Sequence, residues 1–513
     1  MGIYRDGYFA DRKWCDVAVW IAEIKEVSEN AGLKTTNKEK TDTIDKRTDL
    51  MIILMLALFN FCFLGMVYFF DNTMGTWCDS AGVVINQNVI LGASVFGYLS
   101  YWKISESLRK ISTKTVAIVV TCACIAFQVV IAVNRSYVST HVAGVFCFAI
   151  MGIAGSAACY YASVKVKHAA NMAKIVGCSY GLGILLQFVN NNCIGGIYEI
   201  VMIAICTALF GALIIIIKKS DISDQHTENN NRKLSAWKHV KAPVVALIGC
   251  VALMTVVFST LDNVVTLVHA SGGFDIGQWP RLILAASGIA AGVLYDIRDR
   301  KYMPVIMYWI TILSVISIVI IQLGGSFVIG LIAFYIATGF FTVFFMTGFM
   351  DISDYTKKPK LFAGLGRAVN NLFACIMTGI SVKMIAANNQ MVMMIAALVL
   401  FVLISVCVLI YYRAFIDAEH AEQLQKALTE YSEKQKEKKD TDKFAEFVSV
   451  YKLTPREADV LKELIADSEA VTDISKNLAI SRATLYRHIA KINEKTNTDS
   501  RKTLVQYYRN WNG

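Results

Sequence analysis

Charged residues make up only 18% of this 513-residue chain, a shortage that excludes an ordinary water-soluble enzyme, where about 25% is usual. No CxxC pair occurs and most of the 13 cysteines sit in apolar runs, so neither a disulfide framework nor a thiolate metal site is expected. Only Cys78 and Cys193 fall in short segments between runs on the outer side, where a bridge and two free thiols are both open. There is no GxxxxGKS or GxxxxGKT loop to cradle phosphates and no histidine pair at metal-ligand spacing. The chain therefore reads as no enzyme, with no cofactor and no metal. The first residues carry no short apolar run ahead of a cleavage site, so no removable signal peptide is expected.

What the chain has instead is grease: 55% of it is apolar without counting glycine. A spanning helix needs about 20 mostly apolar residues, and twelve runs approach that length. The first six cover 50–70, 83–102, 115–133, 138–164, 172–190 and 195–217; the second six cover 242–261, 278–295, 303–323, 326–350, 361–386 and 391–412. Most of the charge lies in 1–49, in the connection at 218–241 and after Arg413. The expected organisation is an N-terminal tail (1–49), a membrane domain (50–413, halves 50–217 and 242–413), a charged helical linker (414–443) and a small helical domain (444–513).

Cytoplasmic loops retain Lys and Arg while outer loops lack them. With the N-terminus inside, 46 of the 50 basic residues fall on the inner side and Arg135 alone falls in an outer loop. An odd number of spans would destroy that segregation. The net charge of +10 thus reads chiefly as membrane orientation, with both termini cytoplasmic.

Two equal sets of six spans joined by a charged inner connection suggest an internal repeat. Gly292-Val293-Leu294-Tyr295-Asp296 with Arg300-Lys301 is similar to the Gly-x-Leu-x-Asp-x-x-x-basic-basic signature of the major facilitator superfamily, and the 6 + 6 layout resembles that superfamily's. In the first half, Gly97-Tyr98-Leu99 followed by Ser107-Leu108-Arg109-Lys110 has lost the Asp. Arg298, Arg300 and Lys301 also satisfy the inside-positive rule without any signature. The resemblance implies two six-helix halves around a central cavity.

Ionisable groups inside spans are costly and mark function by default. Arg281 and Lys383 lie near the outer ends of their runs, where snorkelling explains them. Arg367 stands about two turns into the eleventh run, between Gly364 and Gly366 on one side and Asn370 and Asn371 on the other. Gln128 and Gln187 either face the same cavity from the first half or hydrogen-bond helix to helix. The deep runs offer Arg367 no matched carboxylate, so a small anionic or carbonyl-rich ligand is expected there.

After the last run, the pattern tightens into a compact domain from Phe444. Thr454-Pro455-Arg456-Glu457 opens a helix with an N-cap, a proline in the first turn and a glutamate that reaches back. A short helix carrying Ile474 and Leu478 follows, then a turn at Ala479-Ile480. Ser481 caps a third helix, buried by Leu485, Ile489 and Ile492, and a fourth begins near Ser500. Short helix, tight turn and longer capped helix is the helix-turn-helix layout, whose second helix enters the major groove. Its outer side should be polar or basic, and Arg482, Thr484, Tyr486, Arg487 and Lys491 lie off the apolar face.

The string Leu453-Thr454-Pro455-Arg456-Glu457, then Asp473-Ile474-Ser475, Leu478-Ala479-Ile480-Ser481, Thr484-Leu485 and His488-Ile489, then Lys495 and Ser500-Arg501, resembles the LuxR/NarL-type DNA-binding domain of bacterial transcription regulators. The resemblance implies a four-helix domain that binds double-stranded DNA as a homodimer. It puts Tyr486 and Arg487 on bases, and Thr484 and Lys491, beside Ser481 and Arg482, near phosphates. The family usually has Lys where Tyr486 stands, Gly where Ser468 stands and a polar cap where Ala470 stands. His488 matches the family and is expected to pack or cap rather than read a base.

The whole is expected to be an all-α, polytopic protein of the bacterial cytoplasmic membrane. In this reading the membrane domain senses a small molecule and the tail regulates transcription. A secondary carrier with a DNA-binding tail is the alternative.

Overall fold

The computed structural model describes residues 46–166, 171–219, 230–322, 326–387, 389–466 and 471–511. Most of the tail at 1–49, the centre of the charged connection, and both Ser468 and Ala470 lie outside these residues. The chain divides into two units, Met1–Ala418 and Glu419–Gly513.

The first unit is built from α1 (Lys46–Met74), α2 (Ser80–Ser107), α3 (Thr113–Val133), α4 (Tyr137–Lys165), α5 (Met172–Cys193), α6 (Ile197–Lys219), α7 (Asn230–Ala270), α8 (Pro280–Tyr295), α9 (Met303–Gln322), α10 (Phe327–Ser353), α11 (Pro359–Phe362), α12 (Leu365–Ala387) and the first part of α13 (Gln390–Val450). Each of the twelve apolar runs is a helix. Ten are long and apolar enough to cross a membrane; α8, at 16 residues, and the described apolar part of α9 are shorter. Capping side chains fix the starts: Asp79 accepts from the Gly82 amide at 2.9 Å and Ser136 from the Ser139 amide at 3.2 Å.

Several helices outrun the apolar stretches that announced them. Backbone groups in hydrocarbon must be paired internally, so a helix continues wherever its next turn still lies among other helices. The run at 50–70 becomes Lys46–Met74 and takes in Asp71; the run at 242–261 becomes part of Asn230–Ala270 and takes in Asp262.

Glycines set two close helix crossings. A Cβ on Gly97 of α2 would lie 2.0 Å from the Ala149 carbonyl oxygen of α4 and 2.9 Å from Gly152 Cα. A Cβ on Gly177 of α5 would lie 2.7 Å from Gly292 Cα of α8. The second crossing joins the halves, as does the packing of α2 on α12.

The signature-like Asp296 closes this junction. Its carboxylate accepts from the Ala173 amide at 3.1 Å and the Lys174 amide at 2.7 Å, the free donors that open α5, and pairs with Arg300 at 3.2 Å. Arg300 also pairs with Asp351 at 2.6 Å. Burial acts against the Arg300 charge, but Asp351 and Asp296 outweigh it and raise its affinity for the proton. The first half has buried Tyr101 at the position that corresponds to Asp296.

The second unit closes its own core. Phe447, Leu453, Val460, Leu461, Leu464, Ile474, Leu485, Ile489, Ile492, Leu504 and Tyr508 are all buried together. Phe447 is its aromatic hub, with ring centroids of Tyr451, Tyr508 and Trp511 within 4.6, 5.2 and 5.3 Å.

Candidate functional site: a nucleic-acid interface and a membrane cavity

Four helices follow α13: α14 (Pro455–Ile465), α15 (Val471–Asn477), α16 (Arg482–Thr496) and α17 (Arg501–Asn510). The capping box of α14 forms as the sequence requires. Thr454 Oγ1 accepts from the Glu457 amide at 3.4 Å and Glu457 Oε2 accepts from the Thr454 amide at 2.8 Å.

The turn between α15 and α16 depends on one residue. Ala479 sits at φ +51° while its amide donates to the Lys476 carbonyl and the Ile480 amide to the Ser475 carbonyl. This left-handed C-terminal geometry stops α15 and redirects the chain. Ser481 then caps α16, accepting from the Thr484 amide at 3.1 Å.

On α16, Leu485, Ile489, Ile492 and Thr496 are buried, whereas Arg482, Tyr486, Arg487 and Lys491 are exposed. At 100° per residue Arg487 and Lys491 lie opposite the buried set, Tyr486 about a quarter-turn from it, and Arg482 nearer its edge in the first turn. Tyr486 leaves 58% of its surface open, a large exposure for an aromatic ring with no structural duty. Thr484 is half-buried, its hydroxyl 2.8 Å from that of Ser481. Arg482, Arg487, Lys491 and Lys495 against Glu494 leave this helix net positive. His488 is half-buried with an enclosed Nδ1, which takes it off the open face.

One tie escaped the sequence reading. Lys495 Nζ, at the end of α16, donates to Glu457 Oε2 at 2.6 Å and to the Lys452 carbonyl at 2.9 Å. The far end of the exposed helix is thereby fastened to the first turn of α14. Burial opposes the Glu457 charge, yet Lys495 and the Thr454 cap prevail, and the carboxyl lies below its ordinary 4.5. A lowered folded-state value means that the stabilisation is present above the unfolded value and is lost as pH falls through the folded one. Glu457→Gln should cost the second unit about 1–3 kcal/mol at pH 7. Urea midpoints of mutant and wild type should converge as pH falls through the lowered folded-state value.

In the first unit, Arg367, Asn370 and Asn371 line a cavity of about 160 Å³. Arg367 is 6% exposed, donates to Asn60 Oδ1 at 3.2 Å and keeps an enclosed Nε without a partner. Its guanidinium lies over the rings of Phe63 and Phe345, 5.6 and 5.4 Å from their centroids. Asn371 donates to Ser94 at 2.8 Å, and Asn370 accepts from Thr255 at 3.2 Å.

Gln128 and Gln187 are placed elsewhere. Gln128 donates to Thr207 at 3.0 Å and Gln187 to the Leu64 carbonyl at 3.1 Å, so they join α3 to α6 and α5 to α1. The cavity also has carboxylates, contrary to the expectation from the apolar runs. Asp71 and Asp262 line it, with Tyr68, Tyr180 and Arg281. Arg281 is half-buried at the cavity wall rather than extended to the headgroups, whereas Lys383 is exposed. The available signal was position: each Asp directly follows an apolar run, within one helical turn of its end. Cys78 and Cys193 are both free thiols.

Residues 451–508 match the family described as bacterial regulatory proteins, luxR family. No curated protein matches the chain. Among solved structures, the major facilitator superfamily proton:xylose symporter XylE, bound to 6-bromo-6-deoxy-D-glucose, is similar at 13% identity. The match has a TM-score of 0.52 and covers 72% of this chain and 96% of the symporter. The human organic anion transporter MFSD10 (TETRAN) is 12% identical, with a TM-score of 0.48 over 72% of this chain and 99% of its own. An auto inhibited POT family peptide transporter is also 12% identical, with a TM-score of 0.48 over 73% and 97%. The chain is therefore a multi-pass membrane protein with the fold of the major facilitator superfamily, carrying a LuxR-family helix-turn-helix domain at 451–508.

Proposed function

We propose that this protein is a membrane-bound bacterial transcription regulator, not an enzyme, that reads DNA through α16 under the control of a small molecule held by the membrane domain. It resides in the cytoplasmic membrane with both termini inside. The observation that carries the DNA reading is the open, net-positive face of a capped α16 on a helix-turn-helix scaffold. Arg487 places its fork on a base edge; Arg482 and Lys491 hold phosphates. Two copies bind together, as a pseudo-palindromic operator requires.

The sensing half rests on the cavity. Buried Arg367, half-buried Arg281 and two carboxylates around about 160 Å³ suit a compact ligand with an anionic group for Arg367 and a polar or cationic group for Asp71 and Asp262. Binding that differs between two arrangements of the halves shifts their populations.

The test selects duplexes with the unit Glu419–Gly513, artificially paired, at physiological salt. The winning site is then placed before a reporter in cells that carry the full chain. Selection of one ordered motif, with regulation of the reporter lost in Arg367→Ala while selection persists, is the expected result. No preference among duplexes would overturn the DNA reading. Reporter output indifferent to Arg367→Ala would overturn the sensing reading, and uptake into vesicles holding the membrane domain alone would make it a carrier.

A further inference from the structure

A larger cavity lies inside the first half, away from the polar one. It encloses about 590 Å³ between α2, α3, α4 and α6, within the roughly 300–1,000 Å³ of ligand sites. Its shaft is apolar, with Ile153, Phe210 and Ile214 on the walls. Its mouth is not: Arg109, Lys165, Lys218 and Lys360 meet there, with Glu106 as the single carboxylate.

We infer that this cleft holds one anionic phospholipid, its acyl chain in the shaft and its phosphate among the four basic side chains. The two surfaces match the two parts of such a molecule. Three of the cations stand where α2, α4 and α6 end, and α11 of the other half adds Lys360. Basic pockets between spanning helices at headgroup depth select anionic lipids. The α3 and α6 walls are the least enclosed of the first half, so the shaft is reached from the bilayer itself.

Two of the basic groups are held in place rather than left trailing. Lys360 donates to Ser105 at 3.1 Å and lies over the Tyr160 ring, and Lys218 donates to Thr113. Burial depresses the Lys360 ammonium; Glu106 counters this, and Lys218 and Arg109 add to it. A phosphate at the mouth would relieve that repulsion. Because Lys360 belongs to the second half, a lipid seated here bridges the halves. The inference is independent of the DNA reading.

The experiment titrates the full chain, purified in neutral detergent, with dioleoylphosphatidylglycerol or dioleoylphosphatidylcholine and counts retained lipid by native mass spectrometry. One copy of the glycerol lipid should be held about tenfold more tightly than the choline lipid. The combined variant Arg109→Gln, Lys218→Gln and Lys360→Gln should lose that preference, and Ala117→Trp, which fills the shaft, should lose the copy. Lys110→Gln with Lys114→Gln, basic residues of the same end outside the cavity, should change nothing. Should the combined variant fail to fold, Arg109→Gln alone, at an exposed site, carries the charge test. Equal retention of the two lipids, retention unaffected by the lining variants, or displacement of the lipid by inorganic phosphate alone would overturn the assignment.

Discussion

Arg487→Ala abolishes the preference of the second unit for its operator while leaving residual, salt-sensitive binding to any duplex. A bidentate contact to a guanine edge is worth about 1–3 kcal/mol of discrimination, which is roughly 5- to 150-fold in relative affinity. Because Arg487 is exposed and is not among the residues that close the core, the domain should keep its stability. Anisotropy titrations of matched and scrambled duplexes at two salt concentrations separate the terms. Lys491→Ala should instead weaken both duplexes alike and lower the salt slope by about one. Retained sequence preference in Arg487→Ala would remove this residue from the interface.

The second large effect is expected far from DNA. Gly97→Leu places a Cβ 2.0 Å from a backbone oxygen of α4 and 2.9 Å from Gly152 Cα. Neither atom belongs to a flexible side chain that could rotate away. The two helices must separate along their contact, at about 3 kcal/mol or more once strain and lost packing are combined. The monodisperse fraction of the full chain in size-exclusion chromatography should collapse. Gly195→Leu is the matched control, since nothing lies within 4 Å of its Cβ position and the change should stay within about 0.5 kcal/mol. Normal yield of Gly97→Leu would mean that α2 and α4 do not cross here.

Hydropathy made the membrane helices legible because crossing lipid imposes one rule on every span, whatever its neighbours. The helix-turn-helix was legible for a different reason. Thr454, Glu457 and Ser481 act locally, on amides three residues away, and Pro455 presets the first turn, so spacing alone exposes them. What stayed hidden was long-range. Nothing in the order of residues pairs Lys495 with Glu457, or brings Asp71 and Asp262 to the cavity of Arg367. Those meetings depend on helices that overran their apolar stretches and on how the bundle packs. Gln128 and Gln187 illustrate the converse, since a buried amide in a span satisfies the pattern for a ligand contact and for a helix-to-helix bond equally.

Asp296 has a consequence for any motion of the membrane domain. A side chain of the second half caps a helix of the first, so parting the halves at that end strips two amides of their acceptor at once and leaves the carboxylate to Arg300. Each charged hydrogen bond of this kind is worth about 1.5–3 kcal/mol, and reversing a 99:1 balance takes about 5.5 kcal/mol. This one fastening is therefore strong enough to set the resting conformation. Whatever reverses it must bind the open arrangement better by a comparable margin.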